Sequence, residues 1–226
     1  HVFSQVKKKI KDRLLSDGIF QPAGRTLNLI QPHFVRLNVR VWLEKDSMEQ
    51  AYDMQQQALE LIPEGSSIAM GGCTSAHEIG LIKALEDGNY NYINRAKMSP
   101  RESLMAAYDA DVFLSSANAI TSDGVMVNID GNSNRVSCIA QGPKKVVFIV
   151  GMNKVCSDFD AAMKRARNVA APANAQRFEV KTPCKTAGKC FDCKSPDTIC
   201  CQFLITRYSR HKDRIHVILV NDTLGL

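Results

Sequence analysis

Ile68-Ala69-Met70-Gly71-Gly72-Cys73-Thr74-Ser75-Ala76-His77-Glu78-Ile79 decides the architecture of this chain. A short apolar run meets two glycines, and small polar residues then open a segment in which Ile79, Ile82 and Leu85 recur at helical spacing. The unit reads as strand, turn and helix, with the helix over Ser75–Leu85. Ser75 and Glu78 have capping-box spacing: the hydroxyl accepts from the Glu78 amide while the carboxylate reaches back. Glycine permits close backbone approach, and the first amides of a helix favour an anion. Gly71, Gly72, Thr74 and Ser75 are therefore candidate ligand-binding residues, although an ordinary well-capped turn fits the same letters. His77 and Glu78 are the nearest groups able to carry a proton, and Cys73 stands where a helix start would favour a thiolate. Neither the Walker loop nor the three-glycine dinucleotide fingerprint is present, so nucleotide hydrolysis has no support.

Outward from this unit, strands and helices alternate. Downstream, strands are read at Asn89–Ile93 and Val112–Ser115, with a helix over Pro100–Asp109. Three consecutive strands are expected over Gly124–Asp130, Arg135–Ala140 and Lys145–Gly151, then a helix over Phe159–Val169 and strands at Phe203–Arg207 and Ile215–Val220. Upstream, the spacing gives a helix over Val6–Leu15, a loop over Gln21–Asn28, an alternating strand over Val35–Leu43 and a helix over Ser47–Leu61. The fold class is α/β: a mixed, partly parallel sheet flanked by helices. Residues 1–45 form a basic opening segment, and residues 46–226 the α/β body with a cysteine-rich loop at 182–201.

A second polar stretch, Ser115–Arg135, invites comparison with the glycine turn. Asp123-Gly124 and Asp130-Gly131 are good hairpin turns. Turn chemistry does not require Asn118, Thr121, Asn128, Asn134 and Arg135 so close together. Arg135 offers a forked donor suited to a carboxylate or phosphate. These five residues with Asp123 complete the candidate ligand set, and Asp123 joins Glu78 and His77 as a weak catalytic candidate. The two stretches are expected to converge on one anion-receptive hollow.

Charge and cysteine content narrow the class further. Nine Lys/Arg stand against three acidic residues through Lys45, which accounts for the whole net charge of +6. The balanced remainder lacks the basic face of a nucleic-acid-binding body. The longest apolar run, Val146–Val150, is far short of the ~20 residues that span a bilayer, and Val2–Leu15 is no signal peptide. A cytoplasmic protein binding neither nucleic acid nor membrane is the expectation. Among eight cysteines, Cys184, Cys190, Cys193, Cys200 and Cys201 cluster. Cys190-x-x-Cys193 aims two thiolates at one centre, with Cys184 and Cys200 within folding reach. Four thiolates suit Zn²⁺ or an iron–sulfur cluster such as [4Fe–4S], while reduced, unligated thiols packing a loop are the alternative. Cys201 is expected to face away.

Gly71–Gly80, Ser116–Arg135, Val150-Gly151-Met152-Asn153-Lys154, Arg167–Ala175, the cysteine segment and Val220-Asn221-Asp222 together resemble the lactate-utilisation (LUD) domain family, in its single-domain branch with a C-terminal cysteine motif. The resemblance covers about residues 46–226 and implies a fold similar to the sugar-phosphate isomerase and CoA-transferase superfamily. It also implies a part in oxidising L-lactate or related 2-hydroxy acids beside iron–sulfur proteins. Three functions follow as expectations. One is a family member binding a small carboxylate or phosphorylated ligand; another is a non-catalytic scaffold or electron-relay subunit for an iron–sulfur oxidoreductase. The third is a CoA-transferase-like or isomerase-like enzyme, for which no acidic nucleophile stands in a matching motif. Self-association as a homo-oligomer fits any of them.

Overall fold

A computed structural model describes residues 27–28, 38–42 and 47–226, with side chains from Met54 onward. The helix read over Val6–Leu15 lies outside the described residues, as do most of the loop over Gln21–Asn28 and both ends of the strand over Val35–Leu43. The described part of that strand, β2 (Asn38–Trp42), pairs antiparallel with β1 (Leu27–Asn28) and parallel with β11 (Ile215–Val220). Adding β3 (Ser67–Met70), β4 (Asn91–Tyr92), β5 (Val112–Ser115) and β8 (Lys145–Gly151) gives a seven-stranded sheet of order β1-β2-β11-β8-β5-β3-β4. Every pairing after the first is parallel.

Both faces of this sheet are covered, which is why its central strands lack polar alternation. On β8, Val147 and Ile149 join Val112 and Leu114 of β5 beneath Met54 and Ala58 of α1 (Ser47–Glu60). Leu81 and Leu85 of α3 (Leu81–Asp87) complete that layer. Val146, Phe148 and Phe113 point the other way, toward Cys138 and Ile139 of α5 (Asn134–Ala140) and the end of α4 (Pro100–Asp109). Burial of such side chains stabilises each by roughly 1.5–3 kcal/mol.

A second, four-stranded sheet of order β10-β7-β6-β9 forms from β6 (Ala119–Thr121), β7 (Met126–Asp130), β9 (Val155–Cys156) and β10 (Gln202–Thr206). It packs Ala119, Val127 and Ile129 against Ala162 of α6 (Phe159–Arg165). The β6–β7 hairpin turns at Asp123-Gly124, where Gly124 takes φ 94°. The sheets are mixed and partly parallel, as the alternation of elements predicts. Among the described residues no helix is long and apolar enough to cross a membrane.

Four local readings are corrected. The helix expected over Ser75–Leu85 is two helices, α2 (Thr74–Glu78) and α3, because Gly80 adopts the left-handed region at φ 70°. Arg135–Ala140 is helix α5, not a strand: Val136 and Ile139 stand three residues apart and both bury on one helical face. Asp130-Gly131 is accordingly no hairpin turn; the Asp130 carboxylate accepts from the amides of Arg135 and Val136 at 2.9 and 3.0 Å and so starts α5. The helix expected over Phe159–Val169 ends as α6 at Arg165, then passes through a π-helical turn at Ala166–Ala170 into α7 (Ala171–Ala175).

Candidate functional site

The chain leaves β3 toward the β4 edge and returns to place β5 on the opposite side of β3. The strand order therefore reverses between β3 and β5, and crevices at the carboxyl ends of parallel strands collect ligands at such a reversal. A cavity of about 470 Å³ opens there. Gly72 and Thr74 reach it from the end of β3, Ser116 and Asn118 from the end of β5, and Lys154 from the turn after β8. Asp130, Asn134 and Arg135 close a further wall. The glycine turn and the asparagine-rich stretch thus share one hollow.

Within it, the candidate residues divide. Gly72 faces open space, with nothing within 4 Å of where a Cβ would stand, and its φ is ordinary. Gly71 lies behind: a Cβ there would meet Arg135 Cγ at 2.8 Å and Phe113 Cζ at 3.1 Å. Gly71 is thus a glycine to admit the arginine stem. The Arg135 fork is committed to the protein: Nη1 donates to Asn128 Oδ1 (2.7 Å) and Ser116 O (3.1 Å), and Nη2 to Ile129 O (2.7 Å) and Asn118 Oδ1 (3.2 Å). It clamps the two sheets together, and the fork expected to grip a ligand has its terminal nitrogens occupied. Asn128 is fully buried, and its Nδ2 has no partner.

Other candidates stand away from the cavity lining. Thr121 hydrogen-bonds Asp123 and accepts from the Val125 amide at 2.7 Å, so both residues build the hairpin turn. His77 is exposed in the last turn of α2. Glu78 accepts from the Gly225 amide at 2.8 Å. The capping box is absent: Cys73 occupies the cap without a side-chain bond, and the Ser75 hydroxyl is buried with no partner. Five residues of α2 also make only a weak dipole, since the macrodipole needs aligned peptides. Burial pushes the Cys73 thiol up to about 11, which removes the thiolate character that a helix start would favour.

Positive charge comes from residues that the sequence reading did not name as ligand-binding candidates, although Lys154 closes one of the quoted family motifs. Lys154 is 3% exposed, and its Nζ donates to Ser116 Oγ at 3.0 Å. Burial lowers its pKa to about 8, with Arg165 and Arg135 adding to the fall and Cys73 and Glu78 opposing it. Arg95 and Arg177 are exposed at the rim. The signal for Lys154 was present: a lysine just past Val146–Val150 stands at the carboxyl end of a fully buried strand. A buried ammonium and two exposed guanidiniums in one lining, with Asn and Ser donors, suit a carboxylate or phosphate.

The cysteine segment forms a separate feature. Cys184 on α8 (Pro183–Ala187), Cys190, Cys193 and Cys200 line one hollow of about 50 Å³, and Cys201 is exposed outside it. All eight cysteines are free thiols. Burial pushes the Cys200 thiol to about 11, and the charges of Cys184, Cys190, Cys193 and Cys201 add to the effect. Among the described residues no three His, Cys, Asp or Glu side chains are grouped to hold a metal ion.

A family model described as the LUD domain matches residues 46–220. Among solved structures, the chain is similar to a DUF162 family protein from Deinococcus radiodurans, at 12% identity over 96% of this chain and 97% of that one, with a TM-score of 0.43. No curated protein sequence matches.

Proposed function

The chain belongs to the LUD domain family, and from that premise we propose that it binds a small carboxylate or phosphorylated ligand in the cavity at the β3–β5 reversal. Membership supports a role associated with lactate utilisation. The finer reading is that the protein serves the oxidation of L-lactate or a related 2-hydroxy acid beside an iron–sulfur partner. The observation that carries it is Lys154, buried, donating to Ser116 and lining the same hollow as Gly72, Thr74 and Asn118.

Lys154 as an ammonium attracts the anionic group, and the rim arginines draw it inward. Near pH 8 the same amine exchanges protons readily, so it is the group best placed to accept the hydroxyl proton of a 2-hydroxy acid. Completing the oxidation to the 2-oxo acid releases a second proton and two electrons, and the iron–sulfur partner would supply the acceptor that takes those electrons one at a time. Glu78, His77 and Asp123 have no place in this scheme, because none of them lines the cavity.

Titration calorimetry of the full chain with L-lactate, pyruvate, a sugar phosphate and a CoA ester tests the reading. At least one should bind, and its affinity should fall as pH rises through about 8 with loss of the Lys154 charge. Absence of binding by all four would overturn it.

A further inference from the structure

We propose that Cys184, Cys190, Cys193 and Cys200 ligate an iron–sulfur cluster in the hollow between α8 and the start of β10. The site is distinct from the ligand cavity, and the assignment does not depend on what that cavity binds.

The donor set comes first. The only cysteine, histidine, aspartate or glutamate side chains lining the hollow are these four thiols and Asp192. Asp192 is engaged by Arg167 at 2.6 Å, which leaves sulfur as the ligand chemistry. Thiolates select zinc or iron–sulfur centres over hard cations.

The surroundings are built to stabilise sulfur carrying negative charge. Arg167, presented by the π-helical turn, donates from Nη2 to Cys190 Sγ at 3.6 Å. The Asp192 amide donates to the same sulfur at 3.3 Å, and the Thr182 hydroxyl stands 3.3 Å from Cys184 Sγ. Such bonds to ligand sulfurs tune cluster stability and potential. Lys181, Lys185, Lys189 and Lys194 lie along the same segment and offset an anionic centre.

Size separates the two thiophilic options. One zinc ion with Zn–S bonds of about 2.3 Å draws its four sulfurs to within about 4 Å of each other. No such close group exists among the described residues. The hollow whose lining the four cysteines share is about 50 Å³, several times the ~10–15 Å³ that a single water occupies. Thiols too spread for a single ion, around a hollow of that size, favour a polyatomic cluster over one zinc. Such a cluster also gives residues 188–201, irregular throughout, the tie that a structureless loop of this length needs. Ile199 lines both the hollow and the ligand cavity, so the cluster would sit one side chain from the anion site.

The test is anaerobic purification of the full chain, reconstitution with iron and sulfide, and assay of bound iron, sulfide and zinc. About four iron and four sulfide per chain are expected for a four-thiolate cluster, with broad visible absorption that bleaches on adding dithionite. Cys190→Ser and Cys193→Ser should each lose most of the iron, while Cys201→Ser should keep it at the wild-type level. Thermal melts check that each variant folds. Stoichiometric zinc, a metal-free chain after reconstitution, or a Cys201→Ser variant that loses as much iron as Cys190→Ser would each overturn the assignment.

Discussion

Lys154 is an ammonium in the cavity lining that burial penalises. Its pKa in the folded chain, about 8, lies below its ordinary value of 10.5. Between those values the unfolded chain holds the proton that the folded chain has released, so stability rises as pH climbs through that window. Below about pH 8 the burial cost is present in full. Lys154→Met should therefore gain roughly 2 kcal/mol at neutral pH in urea denaturation, while weakening anion binding. A variant that is less stable than wild type at neutral pH would refute this. The adjacent glycines make a sharper pair. Gly71→Ala must displace the Arg135 stem and should cost about 1–3 kcal/mol. Gly72→Ala meets nothing and should leave the melting temperature unchanged while lowering ligand affinity roughly tenfold, about 1.4 kcal/mol. Equal destabilisation by the two would refute the division. The Gly-Gly pair was legible in the sequence as a special turn. Which glycine serves the fold was not, because that depends on an arginine sixty-four positions away in the chain.

At the level of elements, alternation of apolar strands with amphipathic helices was readable wherever segments were long, as at Lys145–Gly151, Pro100–Asp109 and Ile215–Val220. It failed where a short segment supported either period. Arg135–Ala140 is rich in β-formers, yet its cap comes from Asp130, outside the segment. The capping box was likewise sought at Ser75 and is found at Ser99. There the hydroxyl accepts from the Glu102 amide (3.3 Å), the Glu102 carboxylate accepts from the Ser99 amide (3.0 Å), and Pro100 opens the helix. The signature Ser99-Pro100-Arg101-Glu102 was in plain view. Ser99→Ala should cost about 1 kcal/mol, whereas Ser75→Ala, removing a buried hydroxyl without a partner, should be neutral or stabilising. Thermal denaturation of the two variants side by side checks the order, and a larger loss at Ser75 would reverse the placement of the cap.

Across the whole molecule, two arginines, Arg135 half-buried and Arg214 buried, join elements far apart in sequence. Arg135 binds the ends of β5 and β7, and Arg214 donates to the carbonyls of Cys138 (3.1 Å), Ile139 (2.7 Å) and Pro143 (3.2 Å), pinning the start of β11 to the end of α5. Arg214→Met would strand those carbonyls and should cost about 3 kcal/mol, read as a lower midpoint in urea unfolding; an unchanged midpoint would show the clamp to be dispensable. With these clamps in place, the central proposal is that carboxyl ends of neighbouring parallel strands form one preformed anion site around Gly72, Asn118 and Lys154. Amide chemical-shift mapping on the full chain, titrated with whichever of the four anions binds, tests it most directly. The largest shifts should fall at Gly72, Thr74, Asn118 and Lys154, with the helical layer around Met54 and Leu85 silent. Shifts centred on that opposite face, with the cavity residues unmoved, would contradict the account.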